Sequence, residues 1–196
     1  EKDTPYIGSI VIRGGKIDRI IAGDSCAEAE SARLRGDDSV TVIDASGLVA
    51  SPGFLDIHAH ADGDVACAEK LLAQVVTTAI GGNCGFSPLD VPSFLSGEDE
   101  KGFPIHQAEF IGHSVALRKG AGLRSPYEAA GLSQLNTMKG LARAALDGGA
   151  CGISFGIQYA PGTTLAEMRD IAAVAAAYGR IVSVLSLIHI SQGIVR

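Results

Sequence analysis

Residues 52–60 read Pro-Gly-Phe-Leu-Asp-Ile-His-Ala-His (PGFLDIHAH), an apolar segment that ends in His58 and His60. Side chains two residues apart on a β-strand point to the same face, so both imidazoles can face one metal ion at the end of the strand. In α/β barrels, active sites lie at the carboxyl ends of the strands. On spacing alone, a histidine pair without a ligand role fits equally well. The preceding residues 52–56 (PGFLD) favour a metal site over a histidine pair without a ligand role.

After Gly53, short apolar strands alternate with helical segments, a pattern typical of βα units and a parallel sheet. Between the third and fourth candidate strands, apolar residues at helical spacing predict a helix over residues 135–146. Thr164 and Glu167 form a capping-box pattern that predicts the start of another helix. A further helix is predicted over residues 68–76 and a loop over residues 88–102. The five candidate strands are residues 53–57, 77–81, 109–112, 151–155 and 181–185.

The first fifty residues read instead as β structure. Residues 9–13 and 16–22 are β-branched runs separated by Gly14-Gly15, which predicts a hairpin with a two-residue turn. Residues 39–44 (SVTVID) are predicted to form another strand. A small β layer therefore precedes the βα region.

Composition limits the kinds of partner. The 196 residues contain 16 Lys+Arg and 22 Asp+Glu, giving a formal net charge of −6. The absence of a basic run argues against a nucleic-acid partner, because phosphate contacts need a basic face. Apolar runs are shorter than the roughly 18 residues of a membrane span, and we see no basic-then-apolar leader. We therefore expect a folded cytoplasmic protein without a membrane partner.

A second candidate ligand follows the second strand, in the sequence GGNCG at residues 81–85. Cys84 is flanked by glycines, which let the backbone approach a bound group, and a thiolate is a strong zinc ligand. Taken alone, a cysteine in such a turn is more often a small buried hydrophobic residue. Its place at the end of the strand after His58 and His60 favours the ligand role.

Four segments, in order, resemble the N-acyl-D-amino-acid deacylase (D-aminoacylase) branch of the amidohydrolase superfamily. They are PGFLDIHAH, TTAIGGNCGFSP (77–88), FIGHSVALR (110–118) and GACGISFGIQYAPG (149–162). The first is shared across the superfamily, whereas the GNCG motif and the last segment are more specific to this branch. The resemblance extends from about Ile10 to about Val184.

The resemblance implies a (β/α)8 TIM barrel with a zinc site at its carboxyl-terminal face, beside a small β-sandwich built from both chain ends. Residues 51–184 would then be an incomplete barrel of about five βα units, preceded by part of the sandwich at residues 1–50. His58 and His60 are the implied zinc ligands from strand one, and Cys84 is the implied ligand from strand two. The implied activity is cleavage of the amide bond of N-acyl-D-amino acids.

Three lesser candidates lie near the expected site. His113 follows the third strand and either lines the substrate pocket or has a structural role. Tyr159 lies in the loop after strand four and either contacts substrate or belongs to a turn. Asp56 is expected to have a structural role or to orient a ligand.

The carboxyl-terminal residues depart from the family pattern. The family's strand-five histidine is replaced by the run LSLIHIS at residues 185–191, which resembles translated sequencing-adapter DNA. Residues 185–196 are therefore predicted to be non-native, and His189 is not assigned as a ligand. The family's strand-six histidine and strand-eight general-base aspartate have no counterparts, so this fragment is expected to be inactive alone.

Two alternatives stay open. Dihydroorotase and hydantoinase relatives share the first motif but bridge two metals through a carboxylated lysine on strand four. Residues 151–155 contain no lysine, which disfavours a cyclic-amide hydrolase. A non-catalytic fragment is the other alternative.

Overall fold

The computed structural model describes residues 5–23, 30, 32–35 and 39–185. The chain divides into two compact units, Glu1–Ser51 and Pro52–Arg196. Residues 186–196, including His189, lie outside the described part, so the prediction that residues 185–196 are non-native stays a prediction.

The first unit contains the predicted hairpin. Strands β1 (Gly8–Arg13) and β2 (Lys16–Ala22) pair antiparallel. Gly14 and Gly15 have φ values of 57° and 73°, the left-handed conformation that a two-residue hairpin turn requires. The prediction of a strand at residues 39–44 is wrong, because these residues pair with no strand in the described part of the chain. The assignment of residues 1–50 to a sandwich stays a prediction.

The second unit is a curled half-barrel of five parallel strands with helices, as expected for a partial TIM barrel. Neighbours in the sheet are also neighbours in sequence order. Parallel strands in sequence order place all their carboxyl ends at one edge, where the loops carry the candidate ligands. The strands are β3 (Phe54–Asp56), β4 (Val76–Gly81), β5 (His106–Gly112), β6 (Gly152–Gly156) and β7 (Ile181–Leu185).

The helices lie between these strands and mostly match the predicted pattern. The prediction of a loop at residues 88–102 is wrong, because this segment contains a helix. Asp90 caps that helix by accepting a hydrogen bond from the Ser93 amide (3.1 Å), and Pro92 lies in the first turn, where a missing N–H is tolerated. The helices are α1 (Val65–Ala73), α2 (Val91–Lys101), α3 (Arg118–Gly120), α4 (Leu132–Asp147) and α5 (Leu165–Ala177).

The main core forms where α4 and α5 pack on the sheet. Met138, Ala142, Ile153 and Ile171 are each 0% exposed and belong to one cluster. Burial of a side chain such as Met138 or Ile153 contributes about 1.5–3 kcal/mol. This packing fixes β5 and β6, whose carboxyl ends support the candidate site. No helix in the described part of the chain is long and apolar enough to cross a bilayer.

Candidate metal centre

His58 and His60 follow the carboxyl end of β3 and are held there by backbone pairing. The Ala59 amide donates to the Ile80 carbonyl (3.1 Å), which continues the pairing with β4 past the end of β3. Asp56 accepts a hydrogen bond from the His58 amide (3.0 Å), so its carboxylate orients the segment that carries the histidines. The two imidazole centroids are 5.4 Å apart, as expected for side chains on one face.

Cys84 reaches the same point from the end of β4. It lies in a short 3-10 turn, Asn83–Gly85, and is 6% exposed. Its Sγ atom is 3.3 Å from His58 Nε2 and 3.5 Å from His60 Nε2. The structure therefore brings together the three residues that the sequence analysis named as ligands.

The donor set and its spacing fit a zinc ion. All three donor atoms lie within 4.8 Å of one another. Tetrahedral zinc, with Zn–S of about 2.3 Å and Zn–N of about 2.0 Å, separates sulfur and nitrogen ligands by about 3.5 Å. The two Sγ–Nε2 distances agree with this value. Imidazole and thiolate are also the ligand types that zinc prefers.

The electrostatics around Cys84 favour the protonated thiol unless a cation is present. Burial and the nearby negative charge of Asp62 raise the pKa of Cys84. A bound divalent cation favours the thiolate, so metal binding must displace this proton. Asp62 also lies close to His60, another candidate ligand, with Oδ2 3.6 Å from His60 Nδ1.

Asp62 and Glu109 form a carboxyl pair behind this site, which the sequence analysis did not predict. Glu109, on β5, is 0% exposed, and its Oε2 accepts a hydrogen bond from Gln107 Nε2 (3.2 Å). Burial, together with the charge of Asp62, raises the pKa of Glu109 to about 8. Asp62 also accepts a hydrogen bond from the Gly82 amide (2.9 Å), and a side chain on Gly81 would collide with both carboxyl groups. The pair thus packs directly against the loop that carries Cys84.

His113 lies in a different environment from the metal centre. It is 0% exposed, and its ring centroid is 4.6 Å from that of Phe155. Its Nε2 is 2.9 Å from Glu167 Oε1, which also accepts a hydrogen bond from Arg118 Nη1 (2.5 Å). This arrangement favours the structural alternative for His113, and its contact with substrate stays a prediction.

These contacts also fix the charge states in the His113 cluster. Burial lowers the pKa of His113 despite its hydrogen bond to Glu167. Burial alone would raise the pKa of Glu167, but hydrogen bonds from His113 and Arg118, with the charge of Arg118, leave it lowered. A neutral imidazole therefore lies beside an Arg–Glu ion pair. Glu167 does not complete the predicted capping box, because only the Thr164 hydroxyl caps, accepting from the Glu167 amide (3.1 Å).

Tyr159 is accessible at the end of the barrel where the candidate ligands lie. It belongs to the short turn after β6, Ile157–Tyr159, and is 42% exposed. Its ring lies edge-on to Phe86, with centroids 4.7 Å apart. Tyr159 is therefore open to a ligand, and its contact with substrate stays a prediction.

Comparison with known proteins connects this geometry to a family. No protein-family model matches the chain. An N-acyl-D-aspartate deacylase of Alcaligenes xylosoxydans xylosoxydans is 31% identical over 79% of the chain and 34% of its own length. An N-acyl-D-glutamate deacylase of the same organism is 32% identical over 86% of the chain and 37% of its own length. The chain is a homologue of the N-acyl-D-amino-acid deacylases of the amidohydrolase family.

Solved structures of these deacylases share the fold. The chain superposes on an N-acyl-D-glutamate deacylase from Bordetella bronchiseptica, solved with zinc and a phosphonate inhibitor, with a TM-score of 0.66 and 32% identity over 72% of the chain and 35% of that structure. A D-aminoacylase structure gives a TM-score of 0.79 at 24% identity over 97% of the chain and 44% of that structure, which supports the fold. The chain spans about a third of the length of the curated deacylases that it matches.

Proposed function

We propose that the protein containing this chain is a zinc-dependent hydrolase that cleaves the amide bond of N-acyl-D-amino acids. The observation that carries the proposal is the convergence of His58, His60 and Cys84, whose donor atoms lie within 4.8 Å of one another at the ends of adjacent strands. The relatives named as N-acyl-D-aspartate and N-acyl-D-glutamate deacylases supply the substrate class.

The donor residues have defined tasks in this proposal. His58 and His60 bind the metal through Nε2, and Cys84 binds it as a thiolate. Zinc held in this way supplies a bound water of pKa about 7 and polarises the scissile carbonyl. The general base is proposed to be a carboxylate outside the 196 residues, so the chain alone is expected to bind metal without turnover. Asp56 keeps the His58 backbone in place.

Substrate contacts are proposed for the loop after β6. Tyr159 presents a half-exposed phenol whose ring lies against Phe86. A phenol hydroxyl can donate a hydrogen bond to a carboxylate or an acyl oxygen of a small substrate. His113, the second residue predicted near the substrate, is proposed to support the site from within the protein. Its burial means that it would act through the shape of the pocket wall and not by direct exposure.

The test uses the protein expressed from its complete gene and loaded with zinc. We expect it to hydrolyse N-acetyl-D-aspartate or N-acetyl-D-glutamate faster than the L enantiomers. Cys84→Ala is expected to lower zinc affinity by at least about 100-fold and to abolish most of the rate. It removes a donor atom, and even the loss of a group that only supports a donor lowers metal affinity by about 10- to 100-fold. Metal content by mass spectrometry and amine release measure both effects.

Cys67→Ala is the matched control, because it removes a thiol from α1 and leaves the candidate ligands intact. It should keep the zinc content and rate of the unaltered protein. Unchanged zinc and rate in Cys84→Ala would remove Cys84 from the site. Hydrolysis of hydantoins or dihydroorotate, without deacylation, would favour the cyclic-amide alternative.

A further inference from the structure

The turn that carries Cys84 has an unusual backbone. Gly82 and Gly85 have φ values of 68° and 77°, and Cys84 between them has a φ of 60°. An L residue with a side chain rarely adopts this left-handed conformation, and it persists only where the surrounding structure enforces it. The turn therefore needs a support outside its own sequence.

Ser154 on β6 provides contacts on both sides of Cys84. Its Oγ accepts a hydrogen bond from the Gly85 amide (3.0 Å) and donates one to the Gly82 carbonyl. Ser154 is 0% exposed, so water does not compete for these bonds. One hydroxyl thus fixes the residues before and after the Asn83–Cys84 pair.

Other contacts reach this turn but do not bracket it in the same way. Asn83 donates from Nδ2 to the carbonyl of Ile80 (2.7 Å), three residues earlier in the chain. Ser183 on β7 donates to Asn83 Oδ1 (3.3 Å). Both contacts hold the Asn83 side chain, whereas Ser154 holds the backbone on either side of the cysteine.

We propose that Ser154 is a positioning residue of the metal centre. Its hydroxyl holds the left-handed turn so that Cys84 Sγ stays within bonding range of a metal held by His58 and His60. Without it, the free protein populates other turn conformations, and metal binding must first restore the correct one. This inference rests on the metal centre of the proposed function and assigns a role to a residue outside the donor set.

The experiment uses the protein from its complete gene with cobalt(II) in place of zinc, because a thiolate ligand gives cobalt(II) a charge-transfer band in the near ultraviolet. Ser154→Ala is expected to bind cobalt about 10- to 100-fold more weakly, the usual effect of losing a hydrogen bond that orients a metal ligand. At saturating cobalt, the thiolate band should be weaker per bound ion. Cys84→Ala should lack the band.

Thr164→Ala is the control for general destabilisation. It removes the cap of α5, a helix whose residues do not take part in the metal centre, and should keep normal cobalt affinity and a full thiolate band. A normal band and affinity in folded Ser154→Ala would overturn the inference. Absence of the band in the unaltered protein would overturn the proposed metal centre itself, so the two failures are distinguishable.

Two further measurements apply if Ser154→Ala does not fold. Threonine and valine have side chains of the same branched shape, and only threonine has a hydroxyl. Ser154→Thr should therefore keep more of the thiolate band than Ser154→Val, and equal bands would contradict the proposal. In the unaltered metal-free protein, the Gly85 amide should exchange slowly with solvent because it donates to Ser154. Rapid exchange of that amide would also contradict it.

Discussion

Two groups of ionisable side chains in the barrel unit, each with buried members, differ in how their charges are balanced. His113, Arg118 and Glu167 combine a neutral imidazole with a cation and an anion. Asp62 and Glu109 bring two carboxyl groups together, and burial near Asp62 raises the pKa of Glu109 to about 8. The balanced cluster joins helices to the sheet, whereas the carboxyl pair packs against the loop that carries Cys84. The difference shows two ways of burying ionisable groups: the first cluster pairs opposite charges, whereas Glu109 stays protonated and uncharged below pH about 8.

The largest expected effect comes from breaking the balanced cluster. Glu167→Gln removes the anion that pairs with Arg118, which is 2% exposed, and leaves a buried cation without an anionic partner. We expect the free energy of unfolding to fall by about 3–5 kcal/mol. Urea unfolding monitored by circular dichroism measures this change.

Asp170→Asn is the matched control on the same helix. The Asp170–Lys139 pair (2.6 Å) is partly exposed, and its loss should change the free energy of unfolding by less than about 1 kcal/mol. Equal losses in Glu167→Gln and Asp170→Asn would show that the buried cluster contributes no more than a surface pair.

The carboxyl pair predicts a dependence of stability on pH. The folded protein keeps the Glu109 proton up to pH about 8, whereas the unfolded chain releases it near the ordinary glutamate pKa of 4.5. The folded state therefore binds more protons between these values, and stability falls as pH rises, by at most about 1.4 kcal/mol per pH unit. Glu109→Gln should remove this slope, because the amide resembles the protonated acid and does not titrate.

Urea unfolding of metal-free protein at pH 5, 6, 7 and 8 tests this prediction. Asp170→Asn again serves as the control and should keep the slope of the unaltered protein. Parallel curves for Glu109→Gln and the unaltered protein would mean that Glu109 is ionised in the folded state.

The smallest expected effect is at the start of α5, where capping and charge pairing are separated. The Thr164 hydroxyl caps the helix, while the Glu167 side chain points into the balanced cluster. Thr164→Ala should lower the free energy of unfolding by about 1 kcal/mol. A loss as large as that of Glu167→Gln, again measured by urea unfolding, would contradict this separation.

The sequence predicted the parallel strands and the three candidate ligands because their signals are local. Strands show as apolar runs, and His58, His60 and Cys84 lie directly after two of them. The helix Val91–Lys101 was missed because its proline and glycine are typical of loops. In the structure, the proline lies in the first turn, where it is tolerated, and the Asp90 cap starts the helix.

The supporting residues of the site could not be predicted because their partners are distant in the chain. Ser154 bonds to the Gly85 amide across 69 positions, and Glu167 bonds to His113 across 54. No spacing rule in a single sequence connects such pairs. The Glu167 pattern even indicated a different role, since Thr164 followed three residues later by Glu is the usual capping-box sequence.

The residues that build and support the Cys84 turn are synthesised at different times. His58 and Cys84 are 26 positions apart, so both donors are present once a single βαβ unit has emerged from the ribosome. Short loops close faster than long ones, and domains begin to fold during synthesis. Ser154 lies 70 residues after Cys84, so the three candidate ligands are made before the hydroxyl that is proposed to hold the turn. In that interval the Cys84 thiol lacks the two Ser154 hydrogen bonds that bracket it in the finished turn.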